Sequence, residues 1–199
     1  AIVFGGNTTP AQVITPLIEF SNVWKYDQSG NDLGTNWSTN DFDDSAWASG
    51  QGPLGFEESI PYPYPLAIKT PLINSSTITT YYFRTTFELT SPTNNLELIA
   101  TNLVDDGCAI YLNGFRVGGV RTPATFNAAT YFPGLQTDGQ IDVVRFTNHL
   151  AALRTGVNTL AVEVHQSFAA SSDVMFGMRL IGYQQQPLVI TRQPLGTRA

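Results

Sequence analysis

The chain has 199 residues, and 10 Lys+Arg against 16 Asp+Glu leave a net charge of −6, with only 13% charged residues where about 25% is usual. That length favours one domain able to bury about 70% of its unfolded surface. A lone Cys108 excludes a disulfide framework or a multi-cysteine zinc site, while a pI near 4.7 argues against a nucleic-acid groove and an anionic membrane surface.

Residues 1–16 are expected to be an N-terminal extension. The opening Ala1-Ile2-Val3-Phe4 fits a mature end left by signal-peptide removal, and a boundary within a longer chain fits it equally. Three Asn-x-Ser/Thr triplets, at Asn7, Asn36 and Asn74, are compatible with an extracellular protein. No run of apolar residues is long enough to cross a membrane as a helix.

Helical periodicity is nearly absent, and short β-branched and aromatic runs recur between turn signals, the pattern of an all-β sandwich. The first run is Leu17 to Tyr26. Gly30 to Thr77 is rich in Gly, Pro, Asp and Ser and is expected to be mostly ordered loop, where a ligand surface should be sought first. Ile78 to Leu89 follows as a strand with Tyr81, Phe83, Thr85 and Phe87 on the core face and Tyr82, Arg84 and Thr86 on the other. Leu96 to Val104 is another strand. Ala109 to Leu112 and Phe115 to Val117 flank Asn113-Gly114, residue types that accept positive φ in a tight hairpin. Thr147 to Leu153 predicts one short helix, capped by Thr147 and ended by Gly156. Thr159 to Gln166 and Val174 to Tyr183 are expected to be neighbouring antiparallel strands. Residues 184–199, with Pro187 and Pro194, are expected to be a linker or the start of a following domain, leaving 17–183 as the sandwich.

Several blocks resemble a galactose-binding-domain-like jelly-roll module. They are Trp24-Lys25-Tyr26-Asp27, Gly34 and Trp37, Phe42 to Gly50, and Gly52-Pro53-Leu54-Gly55-Phe56 in the first half. In the second half they are Tyr82-Phe83-Arg84, Asp105-Asp106-Gly107, Tyr111 to Gly114, and Asn158 to Gln166 followed by Ser172-Asp173. Similar blocks occur in the sugar-binding domains of large glycoside hydrolases, and such modules are appended to secreted bacterial proteins. The resemblance spans roughly residues 20 to 183. It implies an antiparallel two-sheet jelly roll, and it often accompanies a structural calcium.

Sugar-binding surfaces lay aromatic rings against the apolar face of a pyranose and bond its hydroxyls with nearby polar groups. Trp24 and Trp47 are expected to be core or loop anchors, while Trp37 is open to either role. Tyr62 and Tyr64, in Ile60-Pro61-Tyr62-Pro63-Tyr64-Pro65, are candidate platforms because alternating prolines keep the segment extended; packing on the sandwich is the other reading. Glu57 and His165 complete the candidate ligand set. Asp105, Asp106 and Asp173 are the candidate calcium ligands, and Asp27 to Asp32 lacks the final Glu of an EF-hand loop. Two histidines are too few for a zinc site. Glu163 and His165 share a strand face, and a hydrolytic pair joined by Asp173 can be drawn; the favoured reading is a buried imidazole bonded to the Ser171 to Asp173 loop. Cys108 is expected to be a small buried hydrophobe. The sequence therefore points to a non-catalytic, glycan-binding module of a secreted or cell-surface multidomain protein. The alternative is a structural or assembly module whose Ile2-Val3-Phe4 or Pro187 to Ile190 segment adds a strand to a neighbour.

Overall fold

The computed structural model describes residues 12–59, 62–90, 96–134, 138–147 and 149–185. The Ile2 to Phe4 segment, the Asn7 triplet, Ile60-Pro61 and the Pro187 to Ile190 tail lie outside them. Alternating apolar residues build two six-stranded sheets, and the fold is the all-β jelly-roll sandwich expected from the sequence.

In the first sheet, β7 (Leu96–Asp105) and β12 (Val174–Gln185) pair over ten residues. β10 (Ile141–Arg145) flanks β7. The other edge of β12 is shared by β1 (Gln12–Ile18) and β4 (Leu54–Phe56), and β4 pairs in parallel with β5 (Thr70–Pro71). The second sheet runs β3 (Ala48–Gln51), β2 (Val23–Asp27), β6 (Thr80–Leu89), β11 (Gly156–His165), β8 (Gly107–Leu112), β9 (Phe115–Val120).

Between the sheets Phe83 stacks on Phe176 at 4.3 Å and Trp24 meets Phe176 edge-on at 4.8 Å, with Leu98, Ile110, Val162 and Leu180 fully buried around them. Tyr81, Phe83 and Phe87 point into this core as their alternation predicts. The first half of the opposite face of β6 is buried too, because the segment around Trp37 folds back over Tyr82 and Arg84, while Thr86 and Glu88 further along it are exposed.

Three expectations are corrected. The 17–26 run is not one strand: β1 ends at Ile18, the chain turns, and β2 starts at Val23 in the other sheet. Residues 12–16, expected in an extension, form most of β1. The 30–77 span is mostly loop, as expected, and within it lie the short strands β3, β4 and β5 and a 3-10 turn at Asn36–Ser38. Finally, β11 and β12 are not ladder neighbours but belong to opposite sheets, since each alternating strand buries one face against the other sheet.

The Asn113-Gly114 hairpin is present, with φ of 51° and 88° at its two central residues. Helix α1 (His149–Ala152) is a single turn. Thr147 donates its hydroxyl to the Val117 carbonyl, and Gly156, at φ 91°, opens β11 four residues past the helix. No helix among the described residues is long and apolar enough to cross a membrane.

Candidate functional site

Strand register gathers six of the eight predicted site residues at one end of the first sheet. Val174 pairs with Phe56 and Met175 with Asp105, so Glu57, Asp173 and Asp105 emerge side by side from β4, β12 and β7. Tyr64 donates its hydroxyl to Asp105 Oδ2 at 2.6 Å and lies 3.3 Å from Asp173 Oδ2. Tyr62 meets Tyr64 edge-on at 5.7 Å. Asp106 Oδ2 accepts from the Ser167 amide at 2.6 Å.

The carboxylate oxygens that converge are those of Glu57, Asp138 and Asp173, all within 4.8 Å of one another. Of the predicted calcium ligands only Asp173 belongs to this trio; Asp105 and Asp106 lie outside it, bonded to the Tyr64 hydroxyl and the Ser167 amide. Asp138 had no signal in the sequence: it lies in a short turn before β10. Burial, followed by neighbouring carboxylates, pushes Asp105 up to about 8 and Asp173 up to about 6, and the Tyr64 hydroxyl moderates both. Glu57 Oε1 accepts from the Ser59 amide, while Oε2 is buried without a hydrogen-bond partner. An all-oxygen donor set, an unpaired buried carboxylate oxygen and two carboxyls held towards their protonated forms suit a hard divalent cation.

The second neighbourhood is a cavity of about 300 Å³ on the outer face of the second sheet. Glu163 on β11 sits directly across from Tyr82 on β6, and Tyr111 on β8 donates to Glu163 Oε1 at 2.5 Å. The 3-10 turn lays Trp37 over these residues, 4.8 Å from Tyr82 and 5.5 Å from Tyr111, with interplanar angles of 64° and 77°. Arg84 holds that cover down, donating to the carbonyls of Trp37 and Thr39 and pairing with Asp44 at 2.7 Å. Asp32, Phe126 and Asn127 complete the wall.

Trp37 is thus 2% exposed, Tyr64 6% and Tyr62 41%, and the Tyr62 hydroxyl is bonded to the Leu66 carbonyl and the Ile68 amide. Trp37 lines the cavity as a cover over other rings. His165 is fully buried behind Glu163. Its Nδ1 faces the Thr130 carbonyl at 2.8 Å and the Thr80 hydroxyl at 3.1 Å, and its ring stacks on Phe132 at 3.9 Å. The bond expected to the 171–173 loop is replaced by these partners. His165 Nε2 lies 3.2 Å from Glu163 Oε2 but out of line for a hydrogen bond, so the contact is electrostatic only. Asp173, drawn above as the third member of a hydrolytic set, is engaged by Tyr64 and Ser171 instead. Trp24 is core and Trp47 packs beneath Phe42, as expected. Cys108 is buried, which pushes its thiol up to about 12.

No protein-family model matches the sequence, and neither does any curated protein. Among solved structures, a beta-glucuronidase from glycoside hydrolase family 2 matches 89% of this chain at 14% identity with a TM-score of 0.53. A family 2 glycosyl hydrolase from Bacteroides cellulosilyticus matches 86% at 14% identity with a TM-score of 0.51. The likeness is one of fold. The chain spans 18% and 21% of the lengths of those two proteins, so it has the fold of a β-sandwich unit within much larger glycosidases.

Proposed function

We propose that this chain is a non-catalytic, carbohydrate-binding module of a larger secreted or cell-surface protein, taking its glycan in the cavity above the second sheet. The observation that carries this is the cavity itself: aromatic side chains and a hydrogen-bonded carboxylate converge on a rigid sheet, in a volume suited to one or two sugar rings. A glycan array and an insoluble-polysaccharide pull-down test it. Binding is expected, with Tyr111→Ala abolishing it while the thermal melt stays cooperative. Absence of binding to every glycan, by a folded protein, overturns the reading.

The same proposal includes a structural calcium at the Glu57, Asp138 and Asp173 end, with Asp105 and Asp106 behind it as supporting carboxylates. Calorimetry with Ca²⁺ is expected to show binding that tightens between about pH 6 and pH 8, because the cation displaces protons from Asp173 and Asp105. Asp138→Asn is expected to weaken it. Unchanged heat and melting temperature on adding Ca²⁺ would remove the metal from the proposal.

One observation favours a second reading as a docking or assembly module. The edge strand β10 presents Ile141 and Val143 to solvent, 51% and 65% exposed. Light scattering that shows a monomer both alone and with the flanking domains of its parent would exclude it.

A further inference from the structure

We propose that the ligand of the Trp37–Tyr82–Tyr111 cavity carries a protonated amine and, resting on the carbohydrate reading above, that it is an amino sugar with a free ammonium group. The argument begins with charge. Among the described residues lining the cavity, Asp32 and Glu163 are the charged ones, and both are carboxylates. Of the nearby guanidiniums, Arg84 is committed to Asp44 and the carbonyls of Trp37 and Thr39, and Arg116, which does not line the cavity, rests over the ring of the wall residue Phe126 at 5.6 Å.

Hydrogen-bonding capacity points the same way. Tyr111 spends its proton on Glu163, Ser38 spends its own on the Thr35 carbonyl, and the carboxylates only accept. Glu163 and Asp32 therefore present acceptors to the cavity, and the Tyr111 and Ser38 hydroxyls have no proton left to offer there. A neutral sugar hydroxyl brings one donor and two acceptor lone pairs, whereas an ammonium brings three donors and none. The rings also meet at steep angles, forming a corner that can enclose one compact group of a sugar. Aromatic corners backed by carboxylates suit a compact cation. Glu163 is fixed by Tyr111 from β8 while Asp32 stands at the exposed rim, its Oδ1 accepting from the Gly34 amide at 2.8 Å. The floor and the mouth of the cavity thus each carry one negative group.

The test is a calorimetric or NMR titration at about pH 6, where a sugar amine keeps its proton. The probes are a β-1,4-linked glucosamine tetramer, its fully N-acetylated counterpart, a glucose tetramer, and choline and butylamine as cations without a sugar. The glucosamine tetramer is expected to bind at least about tenfold tighter than either neutral tetramer. Glu163→Gln is expected to remove most of that preference. Asp32→Asn, which keeps the acceptor for Gly34 and leaves the buried sheet face untouched, is expected to reduce it several-fold. Equal binding of the three tetramers overturns the amine proposal and leaves the carbohydrate reading standing. Choline or butylamine binding as tightly as the glucosamine tetramer supports amine recognition and overturns its assignment to a sugar. Failure of every probe to bind overturns the amine proposal and leaves the carbohydrate reading to the glycan array.

Discussion

Arg84 shows how one side chain can organise a site it does not line. It is 4% exposed, yet its guanidinium satisfies a carboxylate and two carbonyls of the segment that covers Tyr82. Arg84→Ala leaves those acceptors without their donor and is expected to cost about 3 kcal/mol in urea denaturation and to weaken any ligand of the cavity. Arg84→Lys keeps the charge but not the planar fork and is expected to recover less than half of that. Two-residue alternation correctly sets Arg84 opposite Phe83, but a charged residue there reads as solvent-facing. Nothing local announces Asp44, 40 residues away. A titration belongs to the same scale. Asp105 and Asp173 are raised to about 8 and about 6 from an unfolded value near 4, so between about pH 4 and pH 8 the folded state binds more protons than the unfolded one, and stability falls as pH rises through that window. In chelator, the melting temperature is expected to be lower at about pH 8.5 than at about pH 5 by about 3 °C or more, and Asp105→Asn is expected to flatten the slope. A wild-type slope identical to that of the variant would show that Asp105 is not the group responsible.

Among the elements, the β8–β9 hairpin was the most legible, since positive φ at two successive positions leaves Asn-Gly as a natural solution. Its second role was not legible. Asn113 Nδ2 donates to the Ala152 carbonyl at 2.8 Å and to Asn158 Oδ1 at 2.9 Å, while its Oδ1 accepts from the Thr159 amide. The turn residue thereby ties together the hairpin, the end of α1 and the start of β11. Asn113→Gly keeps the turn geometry and loses all three bonds, with an expected cost of about 2–3 kcal/mol at roughly one per bond. A loss below about 0.5 kcal/mol in chemical denaturation would mean that the turn alone is what this asparagine contributes. The mistaken pairing of β11 with β12 has a related origin. Alternation reports which face of a strand is buried but not which sheet it joins, and two strands that bury facing surfaces carry the same pattern as two that share a ladder. The acidic end was partly legible for the same reason: strand ends could be located, but the partner that brings Asp138 to them could not.

Among the described residues, the molecule closes around β12. β12 pairs with β7 along its length and with both β1 and β4 on its other edge, so the first sheet has no continuous ladder without residues 174–185. A chain ending at residue 173 is expected to lack cooperative unfolding and dispersed amide resonances, whereas removal of β1 alone is expected to leave a folded but less stable protein. Cooperative melting of the chain ending at residue 173 would contradict this. The resemblance to jelly-roll modules conveyed the two-sheet plan because its blocks keep their order along the chain. The cavity was less legible, as Trp37, Tyr82, Tyr111 and Glu163 come from four separated stretches and meet only through the register of β6, β11 and β8.

The β1–β12 ladder also governs how the module responds to pulling. Gln12 pairs with Gln185, so β1 and β12, the first and last strands among the described residues, lie antiparallel with their outer ends side by side. Tension applied through those two ends loads the ladder one hydrogen bond at a time, like a zipper, rather than shearing all of its bonds at once. The first event under load is therefore the peeling of β1 from Gln12 towards Ile18, at low force. A protein tethered through this unit would lengthen by one strand, as a short extensible link, before the β7–β12 ladder and the second sheet carried any strain.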